Sequence, residues 1–302
     1  MADRARSGRI RGIALVLVLW VIALLTVMAL GLTATQRTET SLTRNHVDTV
    51  RFRALAEAAV HYALLHLSAP VPVEWRQSSE IWAADGWPRT WIFAGETLEV
   101  RVFHEASRID LNHASGERLE ALLHALDIPP DEATALANRI LDWRDPDDLR
   151  RLDGAEDSDY EAAGRPYGSK DGPFSSVAEL QQILGMTPPL YRAIEPAVTV
   201  DIGSDQVDEE LASALVLAAL QGLSLEEAEE RLRLRDEQLL GEAETLGAVA
   251  RGGPLLRIRV DWIRDGRGTQ AMETLVMAQP GASPPFRTRW QRYGLAARPD
   301  QP

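Results

Sequence analysis

Residues 10–36 read IRGIALVLVLWVIALLTVMALGLTATQ, and the character of the whole chain is decided there. No charged side chain occurs from Ile13 to Gln36, and Ile13 to Leu32 is almost wholly apolar, about the ~20 residues a helix needs to cross a bilayer. Arg4, Arg6, Arg9 and Arg11 precede it against Asp3 alone, which keeps the short amino-terminal tail cytoplasmic. From Ile13 to Ala69 there is no proline and only one glycine, Gly31, so the helix is expected to run on unbroken until Pro70 and Pro72 stop it. Beyond the bilayer, Val47, Val50, Ala54, Ala58, Tyr62 and Leu65 recur at helical spacing and predict an amphipathic continuation that packs on a domain. A cleaved signal peptide would need only ~7 to 15 apolar residues ahead of a small-x-small site. Ala29-Leu30-Gly31 could serve as that site, but a signal peptide has no use for the long continuation; a plain single-pass anchor is the other alternative.

Composition bounds the rest. The 302 residues are 45% hydrophobic and 25% charged, enough for one large or two ordinary domains. A formal charge of -13 argues against broad contact with a phosphate backbone. The absence of cysteine excludes disulfides, thiolate nucleophiles and Cys-ligated metals. His46, His61, His66, His104, His113 and His124 show no paired ligand spacing, and His104-Glu105-Ala106-Ser107-Arg108 lacks the second His of a zincin. No nucleophile elbow, P-loop or dinucleotide fingerprint occurs, so no enzyme is expected.

After a Trp-rich stretch (Trp75, Trp82, Trp87, Trp91), Thr97 to Phe103 alternates as a half-buried strand does. Leu255 to Ile263 and Thr269 to Ala278 read as a hairpin turned at Arg264–Gly268, and Phe286 to Tyr293 adds a further strand. Between the early and late strands lies a helical block. Ser115 is expected to cap a helix through Leu126, Asp131 to open one reaching Trp143, and Ser176 to Glu179 and Ser224 to Glu227 to form capping boxes. A helical insertion in one sheet domain is the economical arrangement, since the strands would otherwise form two small unstable pieces.

The tetrapeptide Ile10-Arg11-Gly12-Ile13 resembles the class III leader of type IV pilins and pseudopilins. That resemblance implies cleavage after Gly12 by a prepilin peptidase and N-methylation of Ile13 as the mature amino terminus. Most such subunits carry a glutamate as fifth mature residue; here Leu17 stands there, a trait of the K-type minor pseudopilins of type II secretion and suited to a tip subunit. Ile109-Asp110-Leu111-Asn112, Ile140-Leu141-Asp142-Trp143-Arg144-Asp145-Pro146-Asp147-Asp148, Gly154-Ala155-Glu156, Pro173-Phe174-Ser175-Ser176-Val177 and Gly185-Met186-Thr187-Pro188 resemble segments of that family, in its order.

The resemblance implies an α+β, pilin-like fold: leader 1–12, transmembrane helix 13–36, amphipathic continuation 37–69, first part of the head 70–104, an inserted α-helical domain of helix-hairpin-helix type 105–250, and carboxyl-terminal strands 251–302. It implies a single-pass inner-membrane protein, mostly periplasmic, at the pseudopilus tip, supporting export of folded periplasmic proteins across the outer membrane. I-type and J-type minor pseudopilins, held side by side through their long helices, the prepilin peptidase, the inner-membrane assembly platform and exported proteins are the implied partners. A minor pilin of a related type IV filament is the near alternative.

From Asp142 to Gly172 ten acidic side chains face five basic ones, so the segment reads either as a solvated acidic loop or as a site for a hard cation. It is no EF-hand, because Ala162 replaces the turn glycine and Gly168 the bidentate glutamate. The family resemblance implies calcium, with Asp145, Asp147, Asp148, Glu156, Asp157 and Asp159 as candidate ligands and Glu179 as a capping residue. A membrane-tethered DNA-binding protein is the rival class, since Ile109 to Trp143 and Phe174 to Pro196 resemble helix-hairpin-helix units. Their turns carry Pro129, Pro130 and Pro188, which remove amide donors from a phosphate site, and the surroundings are acidic, so nucleic acid is not expected.

Overall fold

The computed structural model describes residues 10–68, 82–241, 254–264, 270–279 and 281–295, with 10–13, 31–38, 41 and 236–241 as backbone only. The chain divides into two compact units between Glu57 and Ala58. A single helix, α1 (Ile10–Ser68), runs 59 residues without a break. In the first unit every side chain from Ala14 to Leu30 is exposed. Thr26, within this stretch, donates its hydroxyl to the Ile22 carbonyl at 2.8 Å, so it presents no free hydrogen. Among the described residues no helix is long and apolar enough to cross a membrane; the side chains of 13 and 31–36, part of the expected span, lie outside them. The leader residues 1–9 are also outside the described residues, and Gly12 and Ile13 are seen only as helical backbone.

The buried face of α1 differs from the expected stripe. Val47, Val50 and Leu65 are exposed, while Phe52, Leu55, Ala56, Ala59, Val60, Ala63, Leu64 and Leu67 are buried. Two apolar stripes coexist on this helix, and packing selects the one with Ala59 and Ala63, whose small side chains allow close approach. Tyr62 borders it, stacked on Trp91 at 4.7 Å and edge-on to Trp82 at 5.5 Å.

The second unit carries a five-stranded antiparallel sheet in the order β1-β2-β5-β6-β7. Its strands are β1 (Arg89–Phe93), β2 (Glu96–His104), β5 (Leu255–Ile263), β6 (Gln270–Ala278) and β7 (Phe286–Leu295). β1 was hidden in the Trp-rich stretch, and it hairpins onto β2 through Ala94 and Gly95, both at positive φ. β2 and β5 are neighbours, Val100 opposite Val260, although about 150 residues of chain separate them. On one face Leu98, Val100 and Val102 pair with Trp262, Val260 and Ile258 and all are buried. The other face carries Arg257, Arg259 and Asp261, charges that a lone solvated sheet would leave wet; here Arg257 and Asp261 are buried.

The chain between β2 and β5 is helical. A two-residue strand, β3 (Ile109–Asp110), pairs in parallel with β4 (Val198–Thr199) and ties the two ends of most of this block together. Within it lie α2 (Gly116–His124), α3 (Pro130–Arg144), α4 (Asp157–Ala162), α5 (Pro188–Ile194), α6 (Ala214–Gln221) and α7 (Leu225–Gly241). One core holds them, including Ile109, Leu122, Ile140, Trp143, Tyr160, Leu180, Val198 and Leu217. Residues 242–250, the end of the expected insertion, and 251–253 after it lie outside the described residues.

Ser115 caps α2, accepting the Arg118 amide at 3.2 Å, and Ser224 and Glu227 exchange the reciprocal bonds of a capping box. Two starts differ from expectation. α3 opens at Pro130, whose missing N–H costs nothing at the first helical position, and Asp131 falls in the first turn. Ser176 to Glu179 opens a short 3₁₀ segment in which Glu179 accepts the Ser175 amide at 3.0 Å and pairs with Lys170 at 2.8 Å.

Candidate functional site

The acidic loop is organised around Asp142, on the last turn of α3 and fully buried. Its carboxylate accepts the Ala155 amide at 2.9 Å and Arg151 Nη1 at 2.7 Å, folding the following loop back onto the helix. Arg151 also pairs with Asp145, and Arg144 donates to the carbonyls of Leu111 and Ala114. Gly154 passes so close to Asp142 that a Cβ there would lie 1.9 Å from Oδ2. Glu156 then opens α4, its amide donating to Asp159 at 3.0 Å.

Three carboxylates meet at one hydroxyl. Ser169 Oγ lies 2.9 Å from Glu156 Oε2, 3.2 Å from Asp157 Oδ1 and 2.7 Å from Asp171 Oδ1, yet it has one hydrogen to give. Glu156 Oε1 and Asp145 Oδ1 are buried with no hydrogen-bond partner among the described residues. Burial first, then the charges of Asp142, Asp145 and Asp171, push the Glu156 carboxyl up to about 7, against the Ser169 hydrogen bond. Gly168 leaves room for the group: a Cβ there would lie 1.8 Å from Asp157 Oδ1.

The six candidate ligands thus part company. Asp145, Glu156 and Asp157 join Asp142, Asp171 and Ser169 in the carboxylate-rich pocket of the loop. Asp147 and Asp148 are exposed, with Asp147 accepting the Leu149 amide at 3.0 Å. Asp159 is held by the Glu156 amide and by Arg150 at 2.8 Å, and these bonds keep it below the usual carboxylate range. Among the described residues no three His, Cys, Asp or Glu side chains are gathered as ligands of one ion. The carboxylates ring a hydroxyl instead of closing on one point at about 2.3–2.6 Å, the distance calcium takes. The donor set nonetheless suits a hard cation: hard oxygens, orphaned acceptors and one carboxyl pushed up chiefly by burial and then by neighbouring carboxylates. Asp142, Ser169 and Asp171 were not singled out from sequence; Gly154 and Gly168, where only a glycine fits beside a carboxylate, were the available signal.

The turn between α2 and α3 spends its amides internally, Leu126 on Leu123 at 3.1 Å, Asp127 on His124 at 2.9 Å and Ile128 on Leu123 at 3.3 Å. These donors are not turned outward toward a phosphate.

Where the helical block meets the sheet, Glu105 is fully buried and takes Arg257 bidentately at 2.5 and 2.8 Å and Thr199 at 2.5 Å. Burial alone would raise its carboxyl, but the hydrogen bonds and charge of Arg257 outweigh it and hold Glu105 below its usual value. Trp290 of β7 donates to Asp201 at 2.9 Å and lies 5.1 Å under the Arg257 guanidinium.

The family model for "Type II secretion system (T2SS), protein K" matches residues 99–201, which include most of β2, the β3–β4 clip and the acidic loop. Type II secretion system protein K of Klebsiella pneumoniae is 28% identical over 251 residues, 76% of this chain and 76% of that protein. The protein of the same name from Pseudomonas aeruginosa is 28% identical over 234 residues, 71% of this chain and 69% of that one. The fold is shared, at a TM-score of 0.59 and 18% identity, with a chain of the GspK-GspI-GspJ complex from the enterotoxigenic Escherichia coli type 2 secretion system, over 83% of this chain and 99% of that one. The family's block lies across the sheet-to-helix joint and the relatives extend over most of both chains, so the chain is similar to the K proteins of the type II secretion system over most of its length.

Proposed function

We propose that the chain is anchored in the inner membrane by the apolar part of α1 and occupies the tip of the pseudopilus beside I-type and J-type minor pseudopilins, working through surfaces and not through a catalytic centre. The observation that carries this is the unbroken helix with every side chain from Ala14 to Leu30 exposed, a surface that water does not tolerate and that lipid or sister helices cover. Leu17, 63% exposed, offers no carboxylate to a neighbour's terminal amine, which suits the first subunit laid down. The related fold occurs in a complex described as GspK-GspI-GspJ, which supports the choice of partners. The sheet with its long helix supports a pilin-type head, and a mature amino terminus at Ile13 follows from the leader. In cells carrying the cognate prepilin peptidase, mass analysis of the mature protein is expected to give N-methylated Ile13, and Gly12→Val is expected to leave the precursor uncut and secretion abolished. An intact Met1 in the wild type would overturn the anchoring scheme.

Calcium is the ion we propose for the loop, held by Glu156 and Asp145 with Asp157 and Asp171. It would supply positive charge beside Glu156, Asp157 and Asp171, which pair with no cation among the described residues, and lock the loop onto α3. The sign of the metal-free behaviour follows from Glu156, whose value of about 7 in the folded chain exceeds the ordinary 4.5. The native state therefore keeps the proton longer, and stability falls as pH rises from about 4.5 to about 7, by ~1–2 kcal/mol after allowance for solvent in the loop. Glu156→Gln is expected to flatten that fall in thermal melts without metal and to remove most of the calcium-induced rise in Tm at pH 8. Equal calcium stabilisation in wild type and variant would discard Glu156 as a ligand.

A further inference from the structure

Between the charged face of the sheet and the helical block, the second unit keeps a cavity of about 450 Å³. Arg101, His104, Arg108, Arg235 and Arg259 contribute to its wall, along with Asp85, Glu195 and Glu273. Most of these charges are already engaged. Arg101 pairs with Glu99 at 2.6 Å, Arg259 with Asp261 at 2.9 Å and Asp85 with Arg89 at 2.7 Å, while Arg235 donates to the Glu210 carbonyl at 2.7 Å.

Arg108 is the exception. It is only 7% exposed, and its sole ion-pair contact among the described residues is a long one, 3.9 Å to Glu105, whose oxygens Arg257 already occupies. The ring of Phe103 lies 5.5 Å from its guanidinium carbon and offers only a quadrupole. Burial, with the charge of Arg257, holds the guanidinium down at about 10, and the carboxylates of Glu105, Glu273 and Glu195 do not make up the difference. Nearby, Arg101 Nε is buried without a hydrogen-bond partner among the described residues. Buried donors in this state are costly, and a native fold tolerates them where something else completes the set.

We propose that this cavity binds a carboxylate, seated on the Arg108 guanidinium and the unpartnered Nε of Arg101. A guanidinium fork matches a carboxylate bidentately. Glu195 and Glu273 on the same wall disfavour a doubly charged phosphate or sulfate, which leaves a singly charged group as the fitting anion. The volume admits more than the carboxylate itself, so the group can arrive on a small organic acid or on an acidic side chain of a partner protein.

The test is calorimetric titration of the full chain in detergent micelles with butyrate and with the peptide acetyl-Ala-Glu-Ala-Ala-amide, using its Gln counterpart as control. Saturable binding of butyrate assigns the site to small acids; binding of the Glu peptide without butyrate assigns it to an acidic protein segment. In either case Arg108→Gln is expected to weaken binding by about tenfold or more. Because Arg108 is buried, a second variant guards against misfolding: Ser213→Phe, at an exposed wall residue whose side chain makes no capping bond, fills the cavity and leaves every cation in place. It is expected to abolish binding with Tm unchanged. Absence of binding by both probes, binding of the Gln peptide equal to that of the Glu peptide, or unaltered affinity in a folded Ser213→Phe protein would overturn the proposal.

Discussion

Glu105→Gln is expected to destabilise the second unit by about 3–5 kcal/mol, the cost of leaving a buried charge without its partner. Glu105 is fully buried, Arg257 is 2% exposed, and the same carboxylate is the nearest one to buried Arg108. An amide in its place keeps the shape but strands both cations beside each other. Thermal and denaturant unfolding of wild type and variant at pH 7 measure the loss, and a change under about 1 kcal/mol would mean that water reaches the pair. Replacing both partners by apolar residues, Glu105→Leu with Arg257→Met, is expected to recover much of it, because neither charge is then left buried alone. The pH dependence has a definite sign. Glu105 is held below its ordinary 4.5, so its contribution is fully present above about pH 4.5 and is lost as pH falls through its lowered value in the folded protein. This is opposite to the Glu156 contribution, and the two are separable by the pH window in which each acts.

Gly154→Ala is expected to cost about 2–3 kcal/mol, from overpacking and from weakened hydrogen bonds to Asp142. The added Cβ would lie 1.9 Å from Asp142 Oδ2 and 2.9 Å from its Cγ, and Asp142 cannot retreat, being fully buried and bonded to Ala155 and Arg151. A double-mutant cycle identifies the clash: in an Asp142→Ala background the same substitution is expected to cost little more, since the colliding carboxylate is gone. Equal costs in both backgrounds would place the strain in the backbone of the loop instead. Affinity for the calcium proposed for this loop is expected to fall alongside stability, because the segment that carries Asp145 and Glu156 is positioned by Asp142.

Elements with strong local signals were legible. The long helix rests on the absence of proline over 13–69 and one glycine, and β5 on an uninterrupted Leu255–Ile263 run bounded by turn residues. The Ser115 and Ser224 caps follow from side-chain chemistry within one turn. β1 was not legible, since Arg89–Phe93 becomes a strand only by pairing with β2. The buried stripe of α1 was misplaced by periodicity alone, because two apolar stripes share the helix and only the packed partner distinguishes them. At the acidic loop, counting carboxylates located the segment but could not say which of them converge; Asp159 went to Arg150 and Asp147 to a local amide, bonds that depend on how the loop folds.

By itself the sequence determined the apolar helix with its leader-like start, the sheet interrupted by a helical block, and the segments that resemble the K family, because each is written in neighbouring residues or in helical and strand periods. Only the tertiary structure decided that Glu105 meets Arg257, that β3 pairs with β4, and that Glu156, Asp157 and Asp171 share one hydroxyl. These are contacts across 152, about 90 and up to 13 residues of chain, and no local pattern specifies them. A buried charge is tolerated only when its partner arrives from elsewhere in the fold, and which partner arrives is settled by the packing of the whole unit.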